Sequence, residues 1–166
     1  MTRRAPRPLT VLAVSSLGVF MAFVDATIVN IAFPDIAVSF PETDISSLSW
    51  VLNAYNIVFA AFLVAAGKLA DLMGRRRVYL IGLIVFTLAS VLCAVAPSAA
   101  ALTGFRVVQA LGAALMVPSS LGLVLQAFPA ERRAHAVALL SAVAALAAGI
   151  GPSLGGLLVA AESWRL

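Results

Sequence analysis

The sequence predicts an all-α integral membrane protein with about five transmembrane helices. Three observations point there. The 166 residues are 63% apolar and 11% charged, with a mean hydropathy of +1.08, against roughly 45–50% apolar and about 25% charged in an average soluble domain. The few charges punctuate five long apolar runs, each near the ~20 residues that cross a bilayer. No run alternates with period two, which favours helices over a β-barrel, the other fold that satisfies backbone groups in hydrocarbon. Disorder is excluded because it needs low hydrophobicity. The single cysteine excludes an internal disulfide framework and a cysteine-based zinc site.

The expected helices run over 9–33, 50–67, 78–96, 102–128 and 134–161. The first is broken only by Asp25 and is preceded by Arg3, Arg4 and Arg7. Its apolar stretch exceeds the roughly 7–15 residues of a secretory signal core, and no clear cleavage site follows it. The second and third carry no charge; the fourth contains Arg106, and the fifth holds only His135 as an ionisable group. Pro34, Pro41, Gly74, Pro97 and Pro129 supply the stop chemistry between them.

Nine of the eleven Lys and Arg residues fall before helix one, around the turn after helix two (Lys68, Arg75, Arg76, Arg77) and after helix four (Arg132, Arg133). The connector 34–49 carries Asp35, Glu42 and Asp44 and no basic residue. The positive-inside rule then predicts a multi-pass cell-membrane protein with a cytoplasmic N-terminus. The net charge of +4 is therefore a topology signal; no groove of interleaved aromatics and cations is present, and no nucleic-acid partner is expected.

Two intramembrane charges need explaining. Asp25 lies roughly 24 Å along the first helix from Leu9 at ~1.5 Å per residue. It is either a proton site or cation-substrate anchor, or an interfacial carboxylate reaching the outer surface. Arg106, near the start of the fourth helix, falls at a similar depth. It either pairs with Asp25 or nearby polar groups, or snorkels to headgroups. Gln109 shares the helical face of Arg106. Asn53, Tyr55 and Asn56 are polar candidates for a cavity wall, with interhelical hydrogen bonding as the plainer alternative; Asn30 and Gln126 fit that plainer role better. Cys93 reads as a small packing residue and His135 as a solvated one.

Two glycine-bearing segments complete the inventory. In the fifth helix, Gly151, Pro152, Gly155 and Gly156 combine a kink with small-residue packing; tight packing alone and a hinge at a packed interface both fit. Residues 67–77 form the expected cytoplasmic turn, where Gly74 permits the reversal. Asp71 there has no topological use, leaving an electrostatic latch onto a neighbouring helix end or Arg, or a solvated carboxylate.

Four segments together resemble the N-terminal part of the major facilitator superfamily, specifically its fourteen-helix drug:proton antiporters of the EmrB/QacA type. Residues 25–34 (DATIVNIAFP) look like the first-helix signature, and residues 67–77 (GKLADLMGRRR) like the loop motif, with Leu72 in place of a usual basic residue. Residues 106–114 (RVVQALGAA) resemble the fourth-helix motif, with Ala110 where glycine is usual, and 151–156 (GPSLGG) the antiporter motif of helix five. Ser163, Trp164 and Arg165 resemble the start of the next outer loop.

The resemblance implies proton-driven efflux of drug-like, often cationic or lipophilic small molecules. It implies proton or substrate handling by Asp25, proton coupling by Arg106 with Gln109, and a loop gate formed by Gly67, Asp71, Gly74, Arg75 and Arg76. The fold expected is part of a major facilitator N-terminal half, an incomplete 3+3 inverted repeat. A chain of this kind reads as a fragment unable to transport alone, whose partners are protons, substrate, the lipid bilayer and a C-terminal half or another transporter chain. The alternative is a non-transporting membrane partner that binds or modulates a full-length transporter. No nucleophile triad, P-loop or metal cluster is present, so no enzyme activity, cofactor or metal is expected.

Overall fold

The computed structural model describes residues 7–161, all helical apart from short connectors. Arg3 and Arg4, and the segment Ser163-Trp164-Arg165, lie outside the described residues. The helices are α1 (Pro8–Ser39), α2 (Ile45–Leu48), α3 (Trp50–Met73), α4 (Arg75–Ala94), α5 (Ala99–Ala127) and α6 (Ala130–Ala161). Among the described residues five helical spans are long and apolar enough to cross a membrane, with α2 and α3 forming one of them.

Pro8 opens α1, where its missing N–H costs nothing. The sequence expectation ended this helix at Phe33, and the structure corrects it: α1 continues through Pro34 to Ser39. The lost backbone bond is outweighed by packing beyond the proline, because Ile36 buries in one cluster with Leu48, Val51, Ala96, Ala99 and Leu102, with Ala37 packed against it. Asp44 then caps α2 by accepting from the Ser47 N–H at 3.0 Å; hydrogen bonding from the Ser47 side chain and then from its backbone N–H lowers the carboxyl pKa. Ser98 caps α5 through Ala101 N–H at 3.2 Å.

The expected turn over 67–77 is mostly helix. α3 runs on to Met73, α4 begins at Arg75, and Gly74 alone separates them at φ 94°, a left-handed value suited to glycine. Lys68 and Asp71 therefore belong to the last turns of α3, and Arg75, Arg76 and Arg77 to the first turn of α4.

α5 is the central post. It packs on α1, α3, α4 and α6 and buries a run of small residues: Ala110, Gly112, Ala113, Ala114, Ser119, Ser120 and Gly122. Small residues let membrane helices approach backbone to backbone. At the α4–α5 crossing, a Cβ on Gly112 would lie 2.6 Å from Phe86 N, and one on Gly82 would lie 2.8 Å from the Gly112 carbonyl.

Contacts define the two ends of the bundle. Val19 of α1, Val124 of α5 and Ala136 and Leu140 of α6 cluster at one end, where Tyr79 of α4 also donates to the Val14 carbonyl at 2.7 Å. The starts of α1, α4 and α6 and the end of α5 therefore meet, which gathers Arg75–Arg77 and Arg132–Arg133 at one end. Ile36, Leu48 and Leu102 mark the other.

Candidate functional site

Midway along the bundle, α1 and α5 bring together three polar side chains that lie 81 to 84 residues apart or three apart in sequence. Arg106 Nη1 donates to Asp25 Oδ2 at 2.6 Å and to Gln109 Oε1 at 2.7 Å. Gln109 Nε2 donates to Asp25 Oδ1 at 2.9 Å, which closes the ring of contacts. Arg106 and Gln109 share a face because they stand three residues apart on one helix. The side chains of Arg106 and Asp25 are 3% and 18% exposed.

Two neighbours complete the arrangement. The Tyr55 ring of α3 lies under the guanidinium, 4.1 Å from its centroid to Cζ, at cation–π distance. Tyr55 in turn stacks on Phe59, with centroids 6.2 Å apart. Cys93 of α4 meets Gln109 Oε1 at 3.7 Å. Arg106 Nε is buried without a hydrogen-bond partner, so the cation is held on one edge and one face. Asp25, Arg106, Gln109 and Cys93 border a mostly apolar cleft of about 300 Å³ between α1, α4 and α5. Asp25 is thus the part of the network that keeps access to open space.

The helix-five motif sits directly beside this network. A Cβ on Gly151 would collide with Thr27 Oγ1, and one on Gly155 would lie 3.3 Å from Ile28 Cα. The i, i+4 glycine pair thus docks α6 on the α1 turn that follows Asp25. Pro152 is exposed and Gly156 has nothing near it, so neither makes that contact.

At the arginine-rich end, Asp71 Oδ1 accepts from Arg75 at 2.9 Å (Nη2) and 3.1 Å (Nε) across the Gly74 break. The Arg75 side chain also lies against Gly122 of α5, where a Cβ would clash with it. Gly67 faces Pro118 at a looser 3.7 Å. Arg76 is exposed.

The three cavity candidates on α3 lie apart from this cleft. Asn53 and Asn56 are exposed on the outer face of α3, and neither borders the cleft. Tyr55, one residue from Asn56, is buried but touches the Arg106 face rather than the cleft. A helix turns by ~100° per residue, so neighbours in sequence face apart. Asn30 bonds to its own helix at the Ala26 carbonyl. The contact of Cys93 with Gln109 was invisible in the sequence, because nothing in an apolar run states which face meets α5. Among the described residues no group of three His, Cys, Asp or Glu side chains converges on a metal position.

The Major Facilitator Superfamily model matches residues 15–166. The chain belongs to that superfamily. It is 48% identical over 158 residues to the multidrug resistance protein Stp of Mycobacterium tuberculosis, covering 95% of this chain and 29% of that protein. It is 44% identical to the methylenomycin A resistance protein of Streptomyces coelicolor, covering 89% and 31%, and 36% identical to the riboflavin transporter RibZ of Clostridioides difficile, covering 93% and 34%. The crystal structure of a bacterial homologue of the human lysosomal transporter Spinster, inward-facing and unoccupied, aligns at a TM-score of 0.73 with 23% identity, over 94% of this chain and 31% of that one. The chain thus spans about a third of the length of its relatives. Five apolar spans in a superfamily of membrane transporters make it a multi-pass membrane protein of the major facilitator fold.

Proposed function

We propose that the chain supplies the first five helices of a proton-coupled drug antiporter of the fourteen-helix EmrB/QacA type, exporting lipophilic or cationic small molecules across the cell membrane. The N-terminus is cytoplasmic in this reading, on the arginine-rich side. The observation that carries it is the Asp25–Arg106–Gln109 network inside membrane-spanning helices. A central Asp or Arg costs about 2.5–3.5 kcal/mol on insertion scales, so such groups are retained for function. The names of the relatives, two of them resistance proteins, agree with export.

The chemistry follows from the contacts. The Asp25 carboxylate accepts one bond from Arg106 and one from Gln109. A proton arriving through the cleft at Asp25 cancels its charge and weakens both bonds. Arg106 then keeps Gln109 and the Tyr55 face while losing its counter-ion. The α1–α5 contact therefore has two states that differ by one proton, and α6 follows α1 through Gly151 and Gly155. The pathway itself requires helices beyond these five, because a central cavity takes two halves.

The test is efflux of a fluorescent cationic dye from cells lacking their own exporters. The chain is expressed alone and also joined to the remaining helices of the M. tuberculosis multidrug relative. Expected is proton-gradient-dependent efflux from the joined protein only, abolished by Asp25→Asn. Efflux by the chain alone would overturn the need for further helices. Efflux indifferent to Asp25→Asn would overturn the proton role. A joined protein that never exports, beside a chain that binds and modulates an intact exporter, would favour the membrane-partner reading.

A further inference from the structure

A second groove lies far from Asp25, between the first three turns of α4 and the end of α5, with a volume of about 650 Å³. Arg76 and Arg77 stand at its rim, and Leu80, Ile81, Ile84 and Leu123 line its depth. Arg75 is committed to Asp71 and Gly122. The Arg76 and Arg77 side chains have no hydrogen bond or ion pair among the described residues. Both sit in the first turn of α4, where free N–H groups and the helix dipole already concentrate positive charge. No acidic side chain lines the groove. The site thus holds uncompensated positive charge above a slot whose apolar residues are surface-exposed on a spanning helix: Leu80, Ile81 and Ile84 are 43%, 41% and 58% exposed.

We propose that this groove binds an anionic phospholipid, with its phosphate on Arg76 and Arg77 and one acyl chain along the α4–α5 seam. The dimensions agree. From Arg76 to Ile84 the helix rises roughly 12 Å, most of the ~15 Å of hydrocarbon in one leaflet. A net-negative headgroup matches two unpaired arginines, whereas a zwitterionic one brings its own ammonium to the same rim. A free phosphate satisfies the rim and leaves the slot empty. The proposal needs the membrane setting and not the transport reading.

The experiment titrates the purified full chain with phosphatidylglycerol or phosphatidylcholine of equal chain length and reads lipid adducts by native mass spectrometry. Phosphatidylglycerol is expected to bind saturably and more tightly. Arg76→Gln with Arg77→Gln should weaken it about 30-fold, from the typical contribution of a basic residue at an anionic surface. Arg132→Gln with Arg133→Gln, the same charge change in the first turn of α6, should leave binding within a few-fold. Ile84→Trp, which fills the slot and keeps both cations, should also weaken it, and this variant decides the matter if the double arginine variant does not fold. Equal losses from the two arginine pairs would overturn the proposal in favour of diffuse charge. Full competition by glycerol phosphate, with Ile84→Trp inert, would overturn it in favour of a soluble-anion site. Equal binding of the two lipids would refute the headgroup assignment.

Discussion

Replacing Asp25 by Asn should destabilise the bundle, and replacing Arg106 as well should restore part of the loss. Removing one partner of a buried ion pair costs about 3–5 kcal/mol, because the other charge stays buried alone. Two features lower that cost here. The Asp25 side chain is 18% exposed, so its charge is partly solvated in the native pair. The Tyr55 face remains under Arg106 and contributes up to about 2 kcal/mol to a desolvated cation. Asp25→Asn should therefore cost about 2–3 kcal/mol. Arg106→Met leaves a carboxylate that keeps the Gln109 donor and can take up a proton from the cleft, so about 1–3 kcal/mol is expected. The double variant buries no charge, and apolar replacement of a whole pair is often neutral. Its cost should fall below the sum of the two by about 1.5–3 kcal/mol. The measurement is a double-mutant cycle on the full chain in detergent micelles, unfolded with denaturing detergent and followed by helical circular dichroism at neutral pH. Additivity to within about 0.5 kcal/mol would mean that the two groups do not interact energetically, and the argument for a proton-sensitive α1–α5 contact would fail with it.

Three further outcomes follow from the same geometry. Gly151→Ala should cost about 1–3 kcal/mol by overpacking against Thr27, with partial relief from Thr27→Ala. Gly149→Ala, two residues away with nothing within 4 Å, should instead stabilise α6 by up to about 1 kcal/mol; thermal unfolding separates the two signs. Tyr55→Phe should keep the cation–π contact, whereas Tyr55→Leu should lose about 1–2 kcal/mol. Thermal unfolding reads this too, and Arg106→Met should erase the difference between the two variants. Asp44 has a folded pKa below its ordinary 3.8, so its contribution is complete above that value and is lost as pH falls through the lowered one. Protection of the Ser47 amide from hydrogen exchange should fall only in that acidic window, and Asp44→Ala should remove it above the window and change nothing below it.

The helical architecture was legible because length and apolar content suffice to mark a spanning helix, and depth arithmetic alone put Asp25 and Arg106 at one level. Boundaries were less legible. Pro34 and Gly67 carry local signals for a stop, yet the first lies within α1 and the second within α3. In both cases burial outside the local segment decides, through Ile36 for one and Ala70 for the other. Rotation about each helix axis was the least legible quantity. Asn53, Tyr55 and Asn56 look alike as polar residues of one run, but only Tyr55 turns toward α5. An amphipathic stripe would have shown this, and a helix with lipid on one side and protein on the other has no polar face to read.

The small residues of α5 and the charged pair explain one another. A buried guanidinium is tolerable only where lipid is excluded and acceptors stand within about 3 Å. Gly112, Ala113 and Ala114 exclude lipid by drawing α4 and α1 against α5, which brings Cys93, Gln109 and Asp25 within reach of one another. Sixteen residues beyond Arg106 on the same helix, roughly 24 Å by helical rise, Gly122 repeats the device and seats Arg75. Larger side chains at these positions would add apolar area to a helix that needs none. They would hold its neighbours apart, leaving Arg106 to lipid and Arg75 without its seat. The composition of α5 is therefore set less by hydrophobicity, which any apolar residue would satisfy, than by the distance at which two separate arginines can be held.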